Sequence, residues 1–90
     1  MARWGMDVDQ VEGAAKQLRD QATQIQTAIS NLDRVVNGLP HIWEGPDATR
    51  FVNEFWPQHK KSLMAAKEAI TGLAQSATNN ASAQRTASQA

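Results

Sequence analysis

Ninety residues allow one small domain, and a chain this short buries too little surface to support a broad hydrophobic core. The absence of cysteine removes disulfides and thiolate metal sites as sources of stability, so stability has to come from packing, with a second chain as the natural supplement. Nine basic residues balance nine acidic ones, which excludes the electrostatic footprint of a nucleic-acid binder or a polybasic membrane anchor.

Charge is divided only mildly along the chain: residues 1–45 carry four basic and six acidic side chains, residues 46–90 five and three. The halves can therefore fold against each other, but the difference is too small to select a partner. The charges at Arg3, Asp7, Asp9 and Glu12 leave no room for the apolar stretch of a cleavable leader. No segment approaches the roughly 20 apolar residues of a membrane span.

From Val8 the apolar positions run Val11, Ala15, Leu18, Ala22, Ile25, Ile29, Leu32, Val36 and Leu39, in alternating steps of three and four. That spacing predicts a first helix over about residues 8–37 with a coiled-coil-like seam. Asp7 followed by Gln10 reads as a variant capping box, and Asp9 and Glu12 put negative charge where the helix dipole favours it. Gly38 is expected to end the helix in a left-handed conformation ahead of Pro40.

Residues 38–47 are a turn punctuated by Pro40, Gly45 and Pro46, and Asp47 is expected to cap a second helix over about 48–78. Its seam reads Ala48, Val52, Trp56, His59, Leu63, Ala66, Ile70, Leu73 and Ala77, widened early by Phe51 and Phe55. Pro57 interrupts the hydrogen-bond ladder, and because the apolar pattern keeps its phase across it, a kink is expected there. Residues 79–90 are polar, carry one charge and no large apolar side chain, and read as a flexible tail. Two helices of equal length joined by a short loop bury their stripes by lying antiparallel. The expected fold is thus all-α, a two-helix hairpin over residues 1–78.

Trp43-Glu44-Gly45 in the turn, continued by Pro46, Asp47, Ala48 and Phe51, resembles the Trp-x-Gly-Pro-Asp-Ala-x-x-Phe segment of actinobacterial members of the WXG100 family, the ESAT-6-like small proteins of type VII secretion. The resemblance covers residues 1–78. It implies a non-catalytic hairpin that dimerises, with itself or with a sister protein, into a four-helix bundle. It also implies export without a leader through a machine driven by a membrane ATPase, so that the protein is secreted, or cytoplasmic before export. Many exported members, or their partners, carry a Tyr-x-x-x-Asp/Glu signal just after the second helix, and this chain contains no tyrosine. A paired protein carrying the signal, a different recognition element, or a member that is not itself exported would each account for that. A cytoplasmic helical adaptor is the alternative reading.

For the partner surface the residues expected are Leu18, Ile25, Ile29 and Leu32 of the first helix, with Phe51, Val52, Phe55, Trp56, Leu63 and Ile70 of the second. Phe51 to Trp56 demand more cover than one facing helix provides. Trp43 reads as a plug setting the angle between the helices, Gly45 as backbone freedom in the turn, and Trp4 as a side chain folding onto the hairpin or a partner. The small residues Ser62, Ala65, Ala66, Ala69 and Gly72 suggest close helix approach, since Gly13 and Gly72 each cost roughly 1 kcal/mol against alanine in a helix interior.

Catalytic and metal readings find little support. His41, Glu44 and Asp47 lack the fixed spacing of helical ligands, and His59 has Ser62 within reach but no carboxylate to orient its ring. Lys60, Lys61 and Lys67 read as a solvated face. No cofactor, nucleic acid or stable membrane insertion is expected.

Overall fold

The computed structural model describes residues 5–89, and the side chain of Gln89 lies outside the description, as does Trp4. Helix α1 spans Val8–Gly38, α2 spans Pro46–Arg50 and α3 spans Trp56–Gln89. They form a rod measuring 66 × 16 × 15 Å in which α1 and α3 lie side by side.

The start of α1 follows from its sequence. Asp7 sits in extended geometry and its Oδ1 accepts the Gln10 backbone N–H at 3.1 Å, satisfying one of the donors a helix leaves open at its first turn. The far end differs from expectation. Gly38 keeps right-handed helical geometry (φ −83°, ψ −15°), and the chain tightens into a 3₁₀ turn over Leu39–His41. Among the described residues the one positive φ belongs to Gly45, at 124° with ψ 170°. Gly45, and not Asp47, is therefore the cap of α2: Pro46 occupies the first helical position, where its missing N–H costs nothing, and Asp47 sits in the first turn.

Pro57 is accommodated by a change of helix type. Residues Phe51–Phe55 form a π turn, and the Trp56 N–H reaches back five residues to the Phe51 carbonyl. A wider turn relieves the crowding between a proline ring and the carbonyl four residues earlier. It also alters the phase: Trp56 is rotated inward to 7 % exposure while Phe55 is left half exposed. The apolar seam does not pass unbroken through the proline as its spacing implied.

Packing between α1 and α3 uses a narrower stripe than the sequence pattern. Ala15, Ala22, Ile29 and Val36, seven residues apart, are buried on α1, against Trp56, Ala74 and Ala81 of α3, with Ala48 of α2 closing the turn end. Alanines on both sides let the helix backbones approach closely over the half of the rod remote from the turn. The intervening apolar residues of α1, Val11, Leu18 and Ile25, are only half buried, and Leu32 is 44 % exposed. His59, Ala66 and Leu73, expected on the seam of the second helix, are exposed.

Polar pairs run down one edge of the stripe. Arg85 donates to Glu12 at 2.8 Å and to Asp9 at 3.0 Å, Arg19 to Thr78 at 2.9 Å, Lys67 to Gln26 at 2.7 Å, and Lys60 to Asp33 at 3.0 Å. The first two contacts explain why the expected flexible tail is helical: Ala81 is fully buried against α1, and Arg85 ties the last turns to the start of α1. The second helix thus runs well beyond residue 78, to Gln89.

Ile29 is the largest fully buried side chain. Ile29→Ala leaves a cavity in a core of few large residues, and the expected cost is about 2–4 kcal/mol. Urea unfolding followed by far-UV circular dichroism measures it; a loss under about 1 kcal/mol would mean that this core does not hold the hairpin.

Candidate functional site: the turn and the open face

The Trp-x-Gly turn is built backward from α1. The Ile42 and Trp43 N–H groups both donate to the Leu39 carbonyl, at 3.0 and 2.8 Å, so the 3₁₀ turn holds Trp43 in place. Gly45 then takes a backbone conformation that is essentially closed to residues with a Cβ, and its carbonyl accepts from the Thr49 N–H at 3.3 Å. This redirects the chain into α2.

Trp43 does not plug the space between the helices. It is 42 % exposed, and its ring meets Phe51 at 6.4 Å between centroids and 53° between planes. Phe51 stacks on Phe55 at 5.0 Å and 24°, and Phe55 meets His59 at 4.1 Å and 45°. Steps of four residues place Phe51, Phe55 and His59 on one line, so an aromatic strip climbs the outside of the hairpin from the turn. Ile42, 82 % exposed, projects beside it.

The tryptophan that locks the helices is Trp56. Its indole N–H donates to Asp33 Oδ1 at 2.8 Å, while Lys60 Nζ holds Oδ2 at 3.0 Å. Both oxygens of one carboxylate are thus occupied by α3. The Trp56 hydrogen bond, followed by that from Lys60, holds the Asp33 carboxyl below its ordinary value. Sequence reasoning missed this clasp. The signal was present in Glu12, Arg19, Gln26 and Asp33, polar residues seven apart that adjoin the apolar stripe.

Of the residues expected at a partner surface, Ile29 and Trp56 instead belong to the hairpin's own core, because the facing helix covers them. Leu18, Ile25, Phe51, Val52, Leu63 and Ile70 are half buried, and Leu32 and Phe55 are exposed. Val11, Leu73 and Ala77 line one shallow groove, whereas Arg19, Gln26, Lys67 and Thr71 line another. The hairpin therefore has a ladder side and an apolar side. Gly13 and Gly72 face open space, with nothing within 4 Å of an added Cβ, so neither serves close approach within the chain.

Among the described residues no three His, Cys, Asp or Glu side chains cluster as metal ligands, and no helix is long and apolar enough to cross a membrane. The Ser62 hydroxyl donates to the Gln58 carbonyl at 3.3 Å, and the His59 ring rests on Phe55.

Two measurements test the geometry. Gly45→Ala should cost about 1–3 kcal/mol through backbone strain alone, whereas Gly72→Ala should stabilise by about 0.5–1 kcal/mol. Equal effects in thermal melts would contradict the turn geometry. The Asp33 carboxyl is lowered in the folded state, so the clasp contributes above the unfolded value of about 4 and is lost as pH falls through the folded value. Melting temperature should drop on acidification below about pH 4, less steeply in Asp33→Asn, which has no carboxylate there to protonate.

Comparison with curated proteins and with solved structures returned no match. A family model does match: WXG100, described as proteins of 100 residues with WXG, over residues 5–89. The match takes in both long helices and the turn whose Trp43 and Gly45 give the motif its letters, and the chain belongs to the WXG100 family.

Proposed function

We propose that this hairpin is a small non-catalytic component of a type VII (ESX-like) secretion system, acting as a secreted substrate or as the escort of one, and that it works paired with another WXG100-like hairpin. Family membership over nearly the whole chain supports the first part. The observation that carries the second is the apolar side of the rod. Leu32 and Leu73, at 44 % and 59 % exposed, stand on the two helices on the side away from the polar ladder, and Val35 beside Leu32 is 63 % exposed. A second hairpin laid on that side would turn two helices into four around a common core.

In this reading the turn has a separate task. The aromatic strip from Trp43 to His59 stands on the outside near one end of the rod, and it offers a docking edge to the secretion ATPase. Aromatic side chains suit such contacts because they supply area at low entropic cost.

The alternative reading is a helical adaptor that stays in the cytoplasm. Detection of the chain in culture filtrate separates them: the expected result is secretion that ceases when the secretion ATPase is inactivated. Retention in the cytoplasm of cells with an intact system would overturn the secretory reading in favour of the adaptor.

A further inference from the structure

At the end of the rod remote from the turn, the start of α1 and the last turns of α3 leave an open groove. Met6 and Val11 line it from the α1 side, and Leu73, Ala83, Gln84 and Ala87 line it from α3. It exists because one wall is low: beyond Leu73, α3 carries no apolar side chain larger than alanine. The last turns of α3 are therefore held by one fully buried alanine, Ala81, and by the Arg85 pairs, and exposed ion pairs contribute little each.

The chain enters α1 across the mouth of this groove. Met6 precedes the Asp7 cap and Val11 stands at the fourth helical position, the two places that a hydrophobic staple joins, and both line the groove. Trp4 stands two residues before Met6, so two peptide units keep its Cα within about 7.6 Å of that of Met6. The other tryptophans are committed elsewhere. Trp56 is buried in the clasp, and Trp43 belongs to the aromatic strip at the opposite end of a rod 66 Å long.

We infer that residues 1–4, which lie outside the described part of the chain, fold back over this end of the rod and that the Trp4 indole fills the groove. The match is chemical as well as spatial. A thioether such as that of Met6 makes favourable contacts with an aromatic ring, Val11 and the alanine methyl groups offer apolar surface, and the half-buried Gln84 has an amide oxygen to accept the indole N–H. The ring supplies apolar area where α3 has only alanine. Because it touches both helices at once, it fastens the last turns of α3 to the start of α1. This closure lies within one chain and does not depend on pairing.

Nuclear Overhauser spectra of the full chain test the inference. The expected cross-peaks join the Trp4 indole protons to the methyl groups of Ala83 and Ala87, and in a mixture of labelled and unlabelled chains they arise within one chain. Trp4→Ala should speed amide exchange over residues 83–88 about tenfold and leave the amides around Ile29 unchanged, since the loss is local. Ala83→Glu puts a charge in the groove and keeps Trp4; it should remove the cross-peak to Ala87 and give the same acceleration. Cross-peaks arising only between differently labelled chains would seat a second copy in the groove and overturn the inference. So would a Trp4 ring without contact to α3, or exchange over residues 83–88 that neither substitution alters.

Discussion

The buried positions of α1, Ala15, Ala22, Ile29 and Val36, recur every seven residues, and the hairpin depends on that single stripe meeting Ala74, Ala81 and Trp56 of α3. Two helices offer each other one contact line only, so every residue off that line is left to solvent or to a partner. Alanine on both sides permits close approach but supplies little apolar area, since burying a large side chain is worth roughly 1.5–3 kcal/mol and a methyl group much less. The heavier contributions come from Ile29, Val36 and Trp56, nearer the turn.

Because the stripe is thin, its edges take on structural work. On the ladder side, the carboxylate of Asp33 binds Trp56 and Lys60 together, and contacts from Gln26, Arg19 and Glu12 follow at intervals along α1. Exposed pairs of this kind contribute little each. Their role is to fix the axial register of two helices whose alanine seam would tolerate sliding. On the other side, among the described residues, no side-chain hydrogen bond crosses between the helices, and Leu32 and Leu73 stay exposed.

The turn obeys a different constraint. A rod of two helices must reverse the chain in few residues, and Gly45 does so by entering a region of backbone space that a Cβ forbids. The π turn ahead of Pro57 then divides the aromatic residues between two roles: Trp56 goes inward to the clasp, and Phe51 and Phe55 go outward to join Trp43 and His59. A proline that in isolation looks like a helix breaker thereby sorts core residues from surface ones.

The all-α hairpin, the cap at Asp7, the turn and the family resemblance were legible from residue order, because apolar periodicity and turn chemistry are local properties. So was the existence of an apolar seam on each helix, though not its use. A seam of alternating threes and fours contains two rows, and only the facing helix decided that the row of Ala15 and Ile29 is core while the row of Leu18 and Leu32 stays open. Trp56 looked like a partner contact because its hydrogen-bond acceptor, Asp33, lies 23 residues earlier and pattern reading does not pair residues across a turn. Residues 79–89 looked like a loose tail because composition carries no information about a neighbour, and α1 supplied one: it buried Ala81 and held Arg85. Sequence alone determined which helices form and where the chain turns. The tertiary structure decided which face each helix spends on the other, since that depends on rotation and register set by both helices at once.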